Sequence, residues 1–247
     1  MHDVAEEGLT LDEFVVDAET LRGLSDHAYV PERVADILRR QIAGGRILPG
    51  TKVPEVRTTR VLGVSRHTLR SAFQLLAAEG LVERRPNRGV FVHSPTADDI
   101  RETYRVRRVV ELGAVRQASF DDAALSALDA VVASARRAGA EGSIPQVAQA
   151  NQHFHRLIIE QVGSGQLSTF MEQILARMRL VFHTMRDDPT FHTGYVERNA
   201  RMVELLRSPD RTAAEAYLSD YFGAAEAQLL EHLSPSTNAP GSPRTGS

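Results

Sequence analysis

From Pro31 the chain places apolar residues at Val34, Ile37, Leu38 and Ile42, the spacing of an amphipathic helix that begins on a proline and stops at Gly44-Gly45. The turn Leu48-Pro49-Gly50 leads to a short second helix over Glu55 to Leu62, ended by Gly63. Ser65, a capping-type residue, precedes a third helix from about Arg66 to Glu79. Its inward face is Leu69, Ala72, Phe73 and Leu76, and Gly80 closes it. The period then changes. Leu81 to Arg84 and Gly89 to Val92 read as two short strands joined by the turn Arg85-Pro86-Asn87-Arg88. Helix, helix, glycine turn, helix, hairpin is the element order of a winged helix-turn-helix.

Beyond a short linker near His93-Ser94-Pro95-Thr96 only helical periodicity remains. Helical segments fall near 98–118, 121–138, 145–163, 166–186, 194–207 and 211–232, with breaks at Gly139, Gly163-Ser164-Gly165, Pro189 and Pro209. Helices on short connections predict an antiparallel bundle. The expected fold class is therefore mainly α: an N-terminal winged helix-turn-helix with a small β-hairpin wing, then a C-terminal all-α antiparallel helical bundle. The expected units are a flexible acidic arm over 1–28, a DNA-binding domain over 29–95, a helical domain over 96–233 and a disordered Ser/Pro/Gly-rich tail over 234–247.

The charge distribution sharpens this division. The net charge of -3 combines a first segment, 1–28, with one Arg against eight acids, and a second, 29–95, with twelve Lys and Arg against five acids. A basic module inside an acidic chain is the electrostatic footprint of polyanion binding. With 42% hydrophobic residues the chain has enough apolar surface for ordinary cores. The absence of cysteine removes disulfides, thiol nucleophiles and thiolate metal sites, zinc fingers included. No apolar run approaches the roughly 20 residues that span a bilayer. The start MHDVAEEGLT is acidic where a signal peptide is basic. No membrane partner is expected, and the expected location is cytoplasmic.

In a helix-turn-helix the second helix of the motif enters the major groove by its N-terminal end. Here that end presents Ser65, Arg66, His67, Thr68 and Arg70. Arg66 is the first choice for base reading, because a guanidinium pairs with guanine O6 and N7 through two parallel hydrogen bonds. Ser65 and Thr68 suit phosphate contact, Arg70 reaches a base or the backbone, and Arg57 adds charge on the preceding helix. Arg88 and Gly89 at the hairpin tip permit close approach to a groove, with Arg84 and Arg85 on flanking phosphates. Singly, each arginine is as well explained as a solvated face; their joint placement at the groove-facing points favours DNA.

These same residues resemble the DNA-binding module of GntR-type bacterial transcription regulators. The resemblance rests on Gly45-Arg46-Ile47-Leu48-Pro49-Gly50, Glu55, Gly63-Val64-Ser65-Arg66, Glu79-Gly80-Leu81-Val82 and Arg88-Gly89-Val90-Phe91-Val92. The chain departs from the family pattern at Thr58-Thr59 and, within the reading helix, at His67-Thr68. The second region is similar to the FCD effector domain of the FadR-like branch through Tyr104-x-x-Arg107-x-x-x-Glu111, Phe154-His155 and the stretch Asp210 to Ala214. The resemblance implies a homodimer on double-stranded DNA carrying an inverted-repeat operator, a repressor whose helical domain binds a small-molecule effector.

That branch commonly holds a divalent metal through one Asp and three His. The corresponding positions here are Asn151, His155, Asn199 and Tyr221, so only His155 retains a usual ligand. Neutral amides and a phenol supply too little charge for a tight dication, and His153 points to a different helix face from His155. No metal or other cofactor is expected. The resemblance then implies a polar effector pocket of Asn151, His155, Asn199 and Tyr221, with Arg107 or Arg177 supplying charge to an anionic ligand. Arg107 is equally an ion-pair partner of Glu111 four residues on, and Arg177 equally snorkels from the edge of its stripe. A third possibility is that the former metal cavity has become ordinary core.

Two readings of other classes remain. One is a helical metal- or acid/base-dependent enzyme around His153 and His155 acting on a phosphorylated substrate, which lacks a third ligand or a paired base at sensible spacing. The other is an architectural DNA-bound protein with an unresponsive bundle. Non-enzymatic regulation is the expectation.

Overall fold

Caps and glycines set the element boundaries. In the computed structural model, which describes residues 30–185 and 189–233, the chain forms α1 (Val30–Ala43), β1 (Lys52–Val53), α2 (Glu55–Leu62), α3 (Arg66–Ala78), β2 (Val82–Arg85) and β3 (Gly89–Val92). It continues with α4 (Ala97–Gln117), α5 (Asp122–Ala140), α6 (Ile144–Glu160), α7 (Gly165–Thr184), α8 (Pro189–Leu206) and α9 (Thr212–Leu233). The expected arm over 1–28 and tail over 234–247 lie outside the described residues.

In the first unit Gly63 takes the left-handed conformation (φ 66°) that ends α2, and the Ser65 side chain accepts from the Thr68 amide to start α3. The strands form an antiparallel sheet of order β1-β3-β2, with Val82 opposite Val92 and Arg84 opposite Val90. The turn between β2 and β3 passes through Asn87 at φ 59°, a left-handed position that asparagine tolerates. Strand β1 was not anticipated. Two residues are too short for a visible alternation, and Lys52-Val53 becomes a strand only because β3 offers its free edge.

The linker is anchored at its far end. Thr96 and Asp99 form a reciprocal capping box at the start of α4, and His93 Nε2 lies 2.9 Å from the same Asp99 carboxylate. In the bundle α6 occupies the middle, packed against α4, α5, α7 and α8, while α9 packs on α4 and α8. Two expected boundaries move. Pro189 opens α8 instead of breaking it, since proline's missing N–H costs nothing in a first turn. Gly139 stays helical, and α5 ends before Gly142, which takes φ 72°.

Among the described residues the buried side chains form two apolar clusters, one per unit. They meet along α7. Its Ile174, Met178 and Val181 belong to the bundle cluster, whereas Ala176 and Leu180 lie in the cluster of the winged unit beside Leu38 and Leu76. Between these two sets Arg177 donates from Nε to the Glu79 carbonyl, the cap of α3. The Arg39 guanidinium holds the Glu79 carboxylate from α1, with Nε 2.7 Å from Oε2.

Candidate nucleic-acid interface and buried polar centre

The start of α3 is held by its own cap. Ser65 Oγ accepts from Thr68 N at 3.0 Å and lies 2.9 Å from Thr68 Oγ1, so both hydroxyls are partly engaged before any phosphate arrives. Arg66 and His67 are exposed and have no bonding partner among the described residues. Arg70 is exposed and paired with Glu55 of α2, Nη2 to Oε2 at 3.1 Å, a surface ion pair that solvent weakens. Arg57 is half-buried on α2.

In the wing Arg84 and Arg88 are exposed. Arg85 is tied: Nε donates to Glu83 Oε1 at 2.7 Å, and the guanidinium lies 4.3 Å from the Phe91 ring centroid. Gly89 has φ 109°, and a Cβ there would come 3.3 Å from Lys52 Cε. The wing tip thus gains a cation, Lys52, that sequence reasoning missed because it depends on the unforeseen β1. Arg66, His67 and Arg70 therefore share one face, and Arg84, Arg88, Gly89 and Lys52 cluster in the wing.

The second set of expected residues meets in the bundle core, on four helices. Arg107 and Glu111 of α4 form a fully buried pair, Nε to Oε1 at 2.6 Å. The other Glu111 oxygen lies 2.7 Å from His155 Nδ1 on α6. Tyr221 of α9 donates to Asn151 Oδ1 at 3.1 Å, and Asn199 Nδ2 of α8 donates to the same oxygen at 2.7 Å. The two halves touch through the His155 and Tyr221 rings, 5.7 Å apart. The Arg107 guanidinium is capped by Phe222, 4.4 Å from the ring centroid.

Electrostatics follow from this packing. Burial alone raises the Glu111 carboxyl, but Arg107 and His155 outweigh it and hold the group below its ordinary range. Burial pushes His155 down, against the pull of Glu111, so the ring is neutral at pH 7. A neutral ring facing a carboxylate through Nδ1 carries its proton there, which leaves Nε2 as an acceptor. Burial also raises Tyr221 well above the usual phenol range, and it stays a donor.

Three buried polar atoms of this centre lack a hydrogen-bond partner among the described residues: Arg107 Nη2, His155 Nε2 and Asn199 Oδ1. Orphaned groups of this kind are uncommon in a finished core and ask for a ligand or water. A divalent metal does not fit them. The set offers one imidazole nitrogen and one neutral amide oxygen, since Asn151 Oδ1 already accepts twice and Glu111 is engaged by Arg107 and His155. Glu111 is the member of the centre that the resemblance named but sequence reasoning did not assign to the pocket. Arg177 is the correction. It sits at the junction with α3 on the Glu79 carbonyl, not with His155 and the two asparagines.

The comparisons agree with this division. Residues 31–92 match the family model of bacterial regulatory proteins, gntR family, and residues 102–224 match the FCD domain model. The crystal structure of a GntR transcriptional regulator from Rhodococcus sp. RHA1 has 37% sequence identity and TM-score 0.74, covering 81% of this chain and 97% of that one. The chain belongs to the GntR family of bacterial transcription regulators, with an FCD domain after the DNA-binding unit. Two named repressors are more distant. The chain is 34% identical over 90 residues to the HTH-type transcriptional repressor RspR of Escherichia coli (36% of this chain, 40% of that one). It is 26% identical over 196 residues to a D-xylose utilization operon repressor of Paenarthrobacter nicotinovorans (79% of this chain, 86% of that one). The family consists of regulators, so the enzymatic reading falls away.

Proposed function

We propose that this regulator is a cytoplasmic homodimeric repressor that binds an inverted-repeat operator and responds to a small, uncharged polar effector held at the buried centre without a metal. The observation that carries the effector reading is the trio of unbonded atoms, Arg107 Nη2, His155 Nε2 and Asn199 Oδ1. They ask for a molecule that accepts from the guanidinium and donates to the imidazole and the amide. Because Glu111 already neutralises Arg107, an added anion would leave the buried centre with excess charge, whereas a neutral hydroxylated or amide-bearing ligand would not. Repression accords with the two named repressors among its relatives. Two reading heads on paired half-sites require a dimer, with half-site centres about one helical turn apart.

The test is retention of fragmented genomic DNA from the source organism at near-physiological salt, followed by sequencing and by metabolite screening on the retained sites. A few enriched inverted repeats, released by a neutral polar metabolite and indifferent to a chelator, are expected. Uniform salt-labile retention, or release that needs an added divalent metal, would refute the reading.

A further inference from the structure

A cleft lies outside the buried centre, between the winged unit and the bundle, with a volume of about 430 Å³. Its wall is crowded with positive charge. Arg39, Arg40 and Arg46 reach it from α1 and the turn that follows, Arg156 from α6 and Arg179 from α7, against Glu172 as the single acid among the described residues that line it.

These cations are not equally occupied. Arg39 is paired with Glu79 and Asp36, and Arg156 with Glu172. Arg40, Arg46 and Arg179 have no carboxylate partner among the described residues. Arg179 is the telling member. Its Nη1 is shielded from solvent without a hydrogen-bond partner among the described residues, and burial alone lowers its pKa. A desolvated guanidinium lacking a counter-charge destabilises a fold unless something supplies that charge. The N-terminus of α6 adds to the field: Pro145 and Gln146 line the cleft, the first turn carries no acid, and Ser143 makes no side-chain cap.

We propose that this cleft is a binding site for a small polyanion, a metabolite with two or more phosphate or carboxylate groups, gripped by Arg179 and Arg156 from the bundle and Arg40 and Arg46 from the winged unit. The ligand's charge completes Arg179, and its grip on both units ties the position of the reading head to the anion's concentration. The site is independent of the effector reading above, which concerns a neutral ligand elsewhere in the bundle.

Thermal melting of the full chain with inorganic pyrophosphate, with citrate, and with sodium chloride at matched ionic strength tests it. A saturable rise in Tm with pyrophosphate or citrate, absent with chloride, is expected. Arg179→Met is expected to melt higher than wild type without ligand and to lose the rise, two changes of opposite sign that a merely structural arginine would not produce. Arg46→Gln, an exposed change that spares the fold, is expected to weaken binding by about tenfold or more. Arg66→Ala should leave the rise intact. The proposal is overturned by absence of a saturable rise, by its survival in Arg179→Met, or by its loss in Arg66→Ala, which would place the anion on the DNA-reading face. It is also overturned if the rise appears only when the eight acids of residues 1–28 are neutralised, since that segment would then be the occupant.

Discussion

Glu111 is the residue on which the buried centre balances, and Glu111→Gln isolates its charge with almost no change of volume. In the wild type its two oxygens serve Arg107 Nε at 2.6 Å and His155 Nδ1 at 2.7 Å, with no solvent exposure. Glutamine can still accept one of these N–H groups, but its amide nitrogen then opposes the other. The Arg107 guanidinium is left buried with no carboxylate. Breaking one side of a buried pair costs about 3–5 kcal/mol. For a chain of this size that corresponds to a fall in Tm of roughly 6–20 °C. Urea unfolding followed by circular dichroism at pH 7.5 gives the number directly. Arg108→Gln, which opens the half-exposed pair with Glu226, is the control and should cost no more than about 1 kcal/mol. The double variant Arg107→Met/Glu111→Leu should cost less than Glu111→Gln alone, because it removes both charges together. A Glu111→Gln variant within about 1 kcal/mol of wild type would refute the account of a charge-balanced centre.

Three further outcomes are expected. His155 has a folded pKa below its ordinary 6.5, so the unfolded chain takes up a proton first as pH falls. The stability it contributes is complete above that value and is lost toward lower pH. Replacing it by Gln should flatten the stability profile between pH 6.5 and 5.5 by up to about 1.4 kcal/mol per pH unit in denaturant titrations; an unchanged slope would assign the acid loss elsewhere. Arg66→Ala should cost about 1–3 kcal/mol at one base pair and relax preference there, read by fluorescence anisotropy on operator variants, whereas a uniform loss on all sequences would make Arg66 a phosphate contact. Gly80 has φ 71°, and a Cβ would lie 3.2 Å from Arg177 Nε. Gly80→Ala should therefore lower unfolding stability by about 1–3 kcal/mol, less than additively with Arg177→Ala; strict additivity would argue against contact between them.

The winged unit was readable, β1 apart, because glycines, a proline and a cap punctuate the ends of its helices and the wing turn. Gly63, Ser65 and Gly80 each mark an end that the structure uses. The bundle was readable as six periodic segments, yet its chemistry was not. Asn151, Asn199 and Tyr221 sit far apart in sequence with nothing local to join them, and only a family resemblance put them together. Arg177 shows the limit of periodicity. Helix α7 buries residues on two sides, toward two cores, so a stripe that includes Ile174 and Met178 gives no sign that Ala176 and Leu180 face a different partner. Lys52 was invisible for another reason, since a strand of two residues exists only through its pairing with β3.

The double-sided helix α7 also bears on how the molecule comes apart. Leu180, 2% exposed, is buried in the winged unit's cluster, and Arg177 finishes a helix end that belongs to that unit. Cut at the linker, the reading head would show an apolar patch to water and an uncapped α3 carbonyl. The two units recognised by separate family models are thus expected not to be separate melting units. Heat or denaturant should take them down as one cooperative block, and an excised head should be markedly less soluble than the chain it came from.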